Sequence, residues 1–126
     1  MVKDVRLLKN RNPKVINNVI SSMGQLTNYA KQAILKRDFD KIGELMNINQ
    51  GFLDVLGVNT FELSRMVYRA RECGAIGSKI TGAGGGGSII ALCPNNIDQV
   101  AEGISKEDNV LKIRFTRKGV SSRVRD

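Results

Sequence analysis

A run of glycines sets the tightest limit on how this chain can fold. Residues 82–87 read Gly-Ala-Gly-Gly-Gly-Gly, and they lie between two apolar, β-prone segments, 75–80 and 88–93. Each glycine held in ordered structure costs about 0.5–1 kcal/mol relative to alanine, because glycine loses the most conformational freedom on folding. A flexible linker would be flanked by polar residues, and a hairpin turn needs only one or two glycines. The run therefore predicts a loop whose backbone approaches a phosphate or another loop so closely that a β-carbon would collide.

Two known phosphate-binding motifs do not fit this loop. Its spacing matches the dinucleotide fingerprint G-x-G-x-x-G, but that fingerprint requires a helix directly after the glycines. Here an isoleucine-rich run follows and Pro94 ends it, which predicts a strand. A Walker A loop would end in Gly-Lys-Ser/Thr, whereas the nearest lysine, Lys79, precedes the glycines. Both motifs are excluded.

The composition is that of a globular protein. A length of 126 residues suits one domain, and 41% hydrophobic with 25% charged residues is ordinary. No apolar run reaches the roughly 20 residues of a membrane span, and the N-terminus lacks the apolar segment of a signal peptide, so we expect a cytoplasmic protein without membrane contact. The absence of histidine excludes a histidine general base. Cys73 and Cys93 lack metal-ligand spacing and are predicted to be buried, reduced thiols.

The net charge of +8 at pH 7 leaves two interpretations open. It suits an anionic partner such as nucleic acid or a phosphorylated ligand, but basic residues near both chain ends are also typical of solvated faces. A nucleic-acid-binding module would place aromatic residues among the basic ones for base stacking, and this chain has only four Phe and two Tyr. Nucleic-acid binding is therefore the weaker alternative.

Hydrophobic spacing predicts an α+β fold with a small antiparallel sheet and helices on one face. The helix starts rest on residues typical of N-caps and of the first helical position: Asn12 with Pro13, Asp38, and a capping box formed by Asn59 and Glu62. The predicted elements, in chain order, are a strand at 1–9, helices at 13–37, 38–57 and 59–74, strands at 75–80 and 88–93, a helix at 95–105, and strands at 110–116 and 120–124.

Several segments resemble the GHMP kinases, the superfamily of galactokinase, homoserine kinase, mevalonate kinase and phosphomevalonate kinase. KITGAGGGGSIIALCP at 79–94 is similar to the third conserved motif of that family. MNINQGFLDVLGV at 46–58 and ECGAIGSKITGAGGGG at 72–87 are more specifically similar to its archaeal mevalonate kinase branch. RKGVSSRV at 117–124 resembles the family's Gly-Val strand, and NRNPKVINNV at 10–19 resembles its Arg-Asn-Thr-Lys stretch. The resemblance implies a ferredoxin-like C-terminal GHMP kinase domain over residues 1–126.

In such kinases the glycine loop forms part of the active-site wall, and the physics agrees, because successive unhindered N–H groups form an anion-binding concavity. Two positions depart from the family pattern. Ser88 stands where most relatives have cysteine, and Pro13 stands where the family has threonine, which removes a hydroxyl and an N–H together. By resemblance, the phosphate loop comprises Thr81, Gly82, Ala83, Gly84, Gly85, Gly86 and Gly87, and the substrate-side residues are Pro13, Lys79, Ser88 and Gly119.

The resemblance also implies an activity, the transfer of a phosphoryl group from ATP to the hydroxyl of mevalonate on the route to isoprenoid precursors. The family's Gly-Leu-Gly-Ser-Ser phosphate loop and the segment with its catalytic aspartate and lysine are missing from these 126 residues. ATP and Mg²⁺ are therefore expected to bind mainly to an N-terminal GHMP kinase domain, on the same or a separate chain. No catalytic residue or metal site is expected here, and the chain alone is predicted to be inactive. The alternatives are another GHMP small-molecule kinase or a noncatalytic basic ferredoxin-like binding module, and a homodimer stays open.

Overall fold

The computed structural model describes residues 2–81 and 87–114 as helices packed around a short β-hairpin. The strands pair antiparallel, with Gly77 opposite Leu92 and Ile80 opposite Ile89. This arrangement is the mixed α+β architecture predicted from the hydrophobic spacing. The elements, in chain order, are α1 (Val2–Arg11), α2 (Pro13–Lys36), α3 (Phe39–Val55), α4 (Phe61–Glu72), β1 (Gly77–Ile80), β2 (Ile89–Leu92) and α5 (Ile97–Ser105).

Local sequence signals predicted most helix ends correctly. Pro13 occupies the first turn of α2, where its missing N–H leaves no hydrogen bond unmade. The Asp38 carboxylate accepts a hydrogen bond from the Lys41 N–H at 3.2 Å and caps α3. Gly57 and Gly74 follow α3 and α4 with φ of +76° and +116°, the left-handed backbone that glycine adopts without strain.

The predicted strand at 1–9 was wrong, because residues 2–11 form α1. Val5 and Leu8 both pack against the buried cluster that contains Ile80. Their spacing of three residues places both side chains on one face of a helix. Packing onto the core therefore determines the conformation of this short segment.

Two further predictions changed. The cap of α4 is Thr60 rather than Asn59, since the Thr60 hydroxyl accepts from the Leu63 N–H at 3.1 Å. The Asn59 amide instead donates to Ser64 Oγ at 2.6 Å. Residues 110–114, expected in a strand, belong to no strand or helix, and the strand predicted at 120–124 lies outside the described residues.

Three buried clusters fix the hairpin at different points along its length. The first lies at the end that leads into the glycine run and joins α2 and α4 to β1 through Ile16, Leu56, Val58, Leu63, Val67 and Ile80. The second lies at the opposite end and joins α2 and α3 to β2 through Ala33, Ile42, Leu45 and Leu92. The third joins α4 to α5 through Ala70, Ala75 and Val100, with Ile89 and Ala91 packed against it. Because Ile80 is fully buried, the core determines where the chain enters the glycine run.

None of the helices within 2–81 and 87–114 combines the length and the apolar character that a membrane crossing needs. The longest, α2, has 24 residues. It buries Ile16 and Ala33, and it exposes large apolar side chains such as Val15, Ile34 and Leu35 as well as polar and charged ones.

Candidate functional site

Thr81 and Ser88 form a neck at the base of the glycine run. The Thr81 N–H donates to the Ser88 carbonyl at 3.2 Å, and the two hydroxyl oxygens are 2.8 Å apart. The antiparallel pairing of β1 and β2 continues through this pair, so the hairpin brings both hydroxyls to one point. Ser88 is exposed and Thr81 is partly exposed. When Thr81 donates to Ser88 Oγ, the Ser88 O–H remains free to donate to an anion, and in the reverse direction the Thr81 O–H can donate to the Ser88 carbonyl at 3.4 Å.

Gly87 lies next to this neck with φ of +75°, and a β-carbon built there would meet nothing within 4 Å. Glycine at this position is therefore required by the backbone conformation rather than by crowding. The remaining loop residues implied by the resemblance, and Gly119, lie outside the described residues, and their roles stay predictions: Gly82, Ala83, Gly84, Gly85 and Gly86.

Lys79 carries positive charge to the entrance of the loop. Its ammonium group donates to the Ile80 carbonyl at 2.8 Å, which is the peptide that leads into Thr81. The side chain is partly buried, and burial lowers the pKa of Lys79 from its ordinary value, since a charged amine loses hydration there. Of the predicted substrate-side residues, Ser88 thus forms part of the neck and Lys79 lies beside it.

Pro13 lies one helical turn before Ile16, which shares a buried cluster with Ile80. The start of α2 is therefore packed against the same end of the hairpin as the neck. Pro13 itself is exposed, so a polar side chain at this position would face solvent or a ligand rather than the core.

A cavity of about 720 Å³ borders the neck, between β2, α5 and residues 108–113. Thr81, Gly87 and Ser88 lie on its wall, but most of its lining is apolar, including Ile89 and Val100. Such a lining suits hydrocarbon rather than a triphosphate. The polar neck at its rim is the better candidate for binding an anion.

Sequence reasoning missed two residues of α3 that bind the backbone of β1. Asn47 Oδ1 accepts from the Ser78 N–H at 3.0 Å, and Gln50 Oε1 accepts from the Ile80 N–H at 2.8 Å. The two amides are three residues apart and share one face of the helix. Gln50 is only 6% exposed, and its position four residues after Met46 and three before Leu53 is a sequence signal that could have identified it.

Arg71 of α4 holds the same strand from another direction. Its guanidinium donates to Ser78 Oγ at 3.0 Å and to the Ser78 carbonyl at 3.1 Å, and it lies 5.2 Å from the centre of the Tyr68 ring. The fully buried Ser78 hydroxyl donates in turn to the Val67 carbonyl at 2.8 Å. The charge of Arg71 is therefore used to position β1.

Comparison with known proteins gives consistent matches over most of the chain. The family model described as GHMP kinases C terminal matches residues 30–109. The chain is 45% identical over 120 residues to the mevalonate kinase of Methanothermobacter thermautotrophicus, covering 95% of this chain and 40% of that protein. It is 48% identical over 109 residues to the mevalonate kinase of Pyrococcus abyssi, covering 82% of this chain and 32% of that protein.

A solved structure supports the same fold. The crystal structure of L. major mevalonate kinase in complex with R-mevalonate matches with a TM-score of 0.79 at 29% identity, covering 84% of this chain and 33% of that one. The chain thus spans between a third and two fifths of the length of these relatives.

Proposed function

This chain belongs to the GHMP kinase family through that family's C-terminal domain, and from this premise we propose that it forms the C-terminal part of an ATP-dependent mevalonate kinase. The observation that carries the choice of substrate is the 45% identity to the Methanothermobacter mevalonate kinase over 95% of the chain. The neighbouring crystal structure, of a mevalonate kinase with R-mevalonate bound, supports the same substrate.

In the proposed reaction this chain binds and orients phosphate. The backbone N–H groups of residues 82–87 and the hydroxyls of Thr81 and Ser88 would donate to phosphate oxygens, on which charge is distributed as the phosphoryl group transfers. Lys79 would add positive potential at the entrance of the loop, where its ammonium group already contacts the Ile80 carbonyl. Phosphoryl transfer depends mainly on such positioning and electrostatics.

The rest of the enzyme is a partner in this proposal. Because the chain spans 40% of the Methanothermobacter relative, we propose that an N-terminal GHMP kinase domain, on the same or a separate chain, makes the main contacts with ATP and holds Mg²⁺. Mg²⁺ would neutralise phosphate charge during transfer. The glycine loop would then face that domain across the active site.

A hybrid enzyme tests the proposal. In it, this chain replaces the corresponding 40% of the Methanothermobacter mevalonate kinase, and ADP release is measured with mevalonate, galactose and homoserine in turn. We expect turnover with mevalonate alone. A hybrid that phosphorylates galactose or homoserine instead would overturn the choice of substrate. A folded hybrid that is inactive on all three would overturn the assignment as a functional kinase part.

The 126-residue chain by itself is expected to show no turnover of ATP with mevalonate. It would lack the main nucleotide contacts and the catalytic groups, and loss of positioning alone can remove many orders of magnitude in rate. The check is ADP release by the purified chain, beside the hybrid at equal concentration. Turnover above the level of a mock purification would contradict the proposal that the N-terminal domain supplies the main nucleotide contacts and the catalytic groups.

Replacing Pro13 with threonine in the hybrid is expected to change kinetics but not stability. Proline already suits the first turn of α2, so Pro13→Thr should alter the free energy of unfolding by about 1 kcal/mol or less. The new hydroxyl would lie at the exposed start of α2 and could form a hydrogen bond contributing about 0.5–1.5 kcal/mol. We therefore expect a change of about threefold or more in KM for mevalonate or in kcat.

Steady-state kinetics and thermal melting of the Pro13→Thr hybrid test whether residue 13 faces the substrate. Lys14→Ala, at the neighbouring exposed position, serves as the control for a change of surface at the same helix end. Identical kinetic constants for Pro13→Thr and the parent would show that residue 13 does not face the substrate.

A further inference from the structure

The outer edge of β1, on the side away from β2, is covered by side chains instead of by another strand. Its N–H groups at Ser78 and Ile80 donate to Asn47 and Gln50. Its carbonyl at Ser78 accepts from Arg71, and the carbonyl of Ile76, just before the strand, accepts from the Asn47 amide at 3.3 Å. An edge strand normally presents such groups unpaired. Here two helices satisfy them.

The side chains of α3 can reach these backbone groups because the backbones of α3 and β1 lie very close together. A β-carbon on Gly43 of α3 would lie 2.7 Å from the Ile76 carbonyl oxygen, and one on Gly77 of β1 would lie 2.6 Å from Gly43 Cα. With glycine on both sides, α3 lies against the strand closely enough for Asn47, one turn after Gly43, to reach backbone groups. Gln50 follows on the same face and reaches Ile80, the last residue of β1.

We propose that α3 replaces a neighbouring strand along β1 and that Gln50, acting through the Ile80 N–H, sets the position at which the glycine loop begins. The inference rests on the proposed function, in which that loop binds phosphate. Gln50 is a positioning residue, since it touches Ile80 rather than substrate. Asn47 and Arg71 bind backbone groups at or before Ser78, whereas Gln50 binds the final residue of the strand, Ile80.

Burial explains why Gln50 has this effect. Gln50 is 6% exposed and Ile80 is fully buried, so removal of the amide oxygen takes away the protein acceptor of a buried N–H. We expect the end of the strand to move until this N–H finds another partner. Thr81 follows directly and is joined to Ser88 across the neck, so the movement would reach both hydroxyls. Displacement of about 1 Å at a phosphoryl-transfer site can lower the rate about 100-fold.

Two substitutions of Gln50 distinguish the effect of its hydrogen-bond acceptor from the effect of its side-chain packing. Gln50→Leu keeps a side chain of similar size but removes the acceptor, whereas Gln50→Glu keeps an oxygen that accepts whether or not the carboxyl is protonated. Leu45→Ala is the matched control, because Leu45 lies in the cluster at the opposite end of the hairpin and its truncation lowers stability without touching the loop entrance.

The first measurement uses the 126-residue chain and nuclear magnetic resonance. In Gln50→Leu we expect the Ile80 amide to lose at least tenfold in protection from hydrogen exchange, and the amide signals of Thr81, Gly87 and Ser88 to shift. Gln50→Glu should leave these signals near their original positions, and Leu45→Ala should leave the neck signals unchanged. Unchanged Thr81 and Ser88 signals in Gln50→Leu would overturn the inference, whatever the enzyme's activity.

The second measurement uses the hybrid enzyme below the melting temperature of every variant. We expect Gln50→Leu to lower kcat at least tenfold with KM for mevalonate within about twofold, and Gln50→Glu to restore kcat to within about threefold. An equal loss of kcat in Leu45→Ala would reveal a general effect of stability and overturn the positioning role. If the parent hybrid is inactive, the proposed function fails, and the amide measurements still decide whether Gln50 positions the loop entrance.

Discussion

Replacing Gly77 with alanine is expected to lower the free energy of unfolding by about 3 kcal/mol. The added β-carbon would lie 2.6 Å from Gly43 Cα and 2.7 Å from its carbonyl oxygen, and both are backbone atoms that cannot rotate away. The helix and the strand would have to separate, which costs about 1–3 kcal/mol as overpacking. Separation would also weaken the buried hydrogen bond from Ile80 to Gln50, adding about 1 kcal/mol or more.

Thermal and denaturant unfolding of the chain measure this effect, and for a domain of this size it corresponds to a decrease in melting temperature of about 10 °C. Gly24→Ala is the matched control, because a β-carbon on Gly24 in the middle of α2 meets nothing within 4 Å. There alanine should stabilise the helix by about 0.5–1 kcal/mol. Equal stability of Gly77→Ala and the parent would show that α3 does not lie against β1 as described.

Replacing Gly85 with valine in the hybrid enzyme is expected to lower turnover at least about 100-fold. Gly85 belongs to the predicted phosphate loop, and a β-branched residue disfavours positive φ and fills space that the backbone needs near phosphate. Removing even one preorganised donor to a developing negative charge costs about 10²–10³ in rate. Because the loop is predicted to lie at a surface facing the other domain, the melting temperature should change little.

Kinetics with ATP and mevalonate, together with a melting curve, check this expectation. Gly24→Val, in the middle of α2 where a β-carbon meets nothing within 4 Å, controls for the general effect of valine at a glycine position. Normal kinetics in Gly85→Val would show that the glycine run is not part of the active site. A loss of activity that follows a loss of folding would instead mean that the run is structural.

Much of this fold could be predicted because its signals are local. Pro13 at a helix start, Asp38 bound to the third N–H after it, and Gly57 after α3 each act within a few residues of their own position. The two strands beside the glycine run were likewise predicted from their own apolar residues. Their observed extents, Gly77–Ile80 and Ile89–Leu92, lie inside the predicted segments.

The incorrect prediction of a strand at residues 1–9 has a different cause. Val5, Leu7 and Leu8 are compatible with a strand or a helix when considered alone, because a short apolar pattern does not distinguish the two periods. In the structure Val5 and Leu8 pack against the cluster around Ile80, while Leu7 is 45% exposed. The choice of helix therefore depends on a surface formed by residues far along the chain.

In the candidate site, too, the sequence predicted some features and only the tertiary structure decided others. The sequence by itself predicted the glycine run and its flanking strands. Only the structure set the register of those strands, which pairs Thr81 with Ser88. Only the tertiary structure assigned Asn47 and Gln50 to the edge of β1, because the backbone groups they bind lie 29 to 31 residues away. The physical reason is that an unpaired N–H in the core must find an acceptor, and packing alone decides which side chain is close enough to provide it.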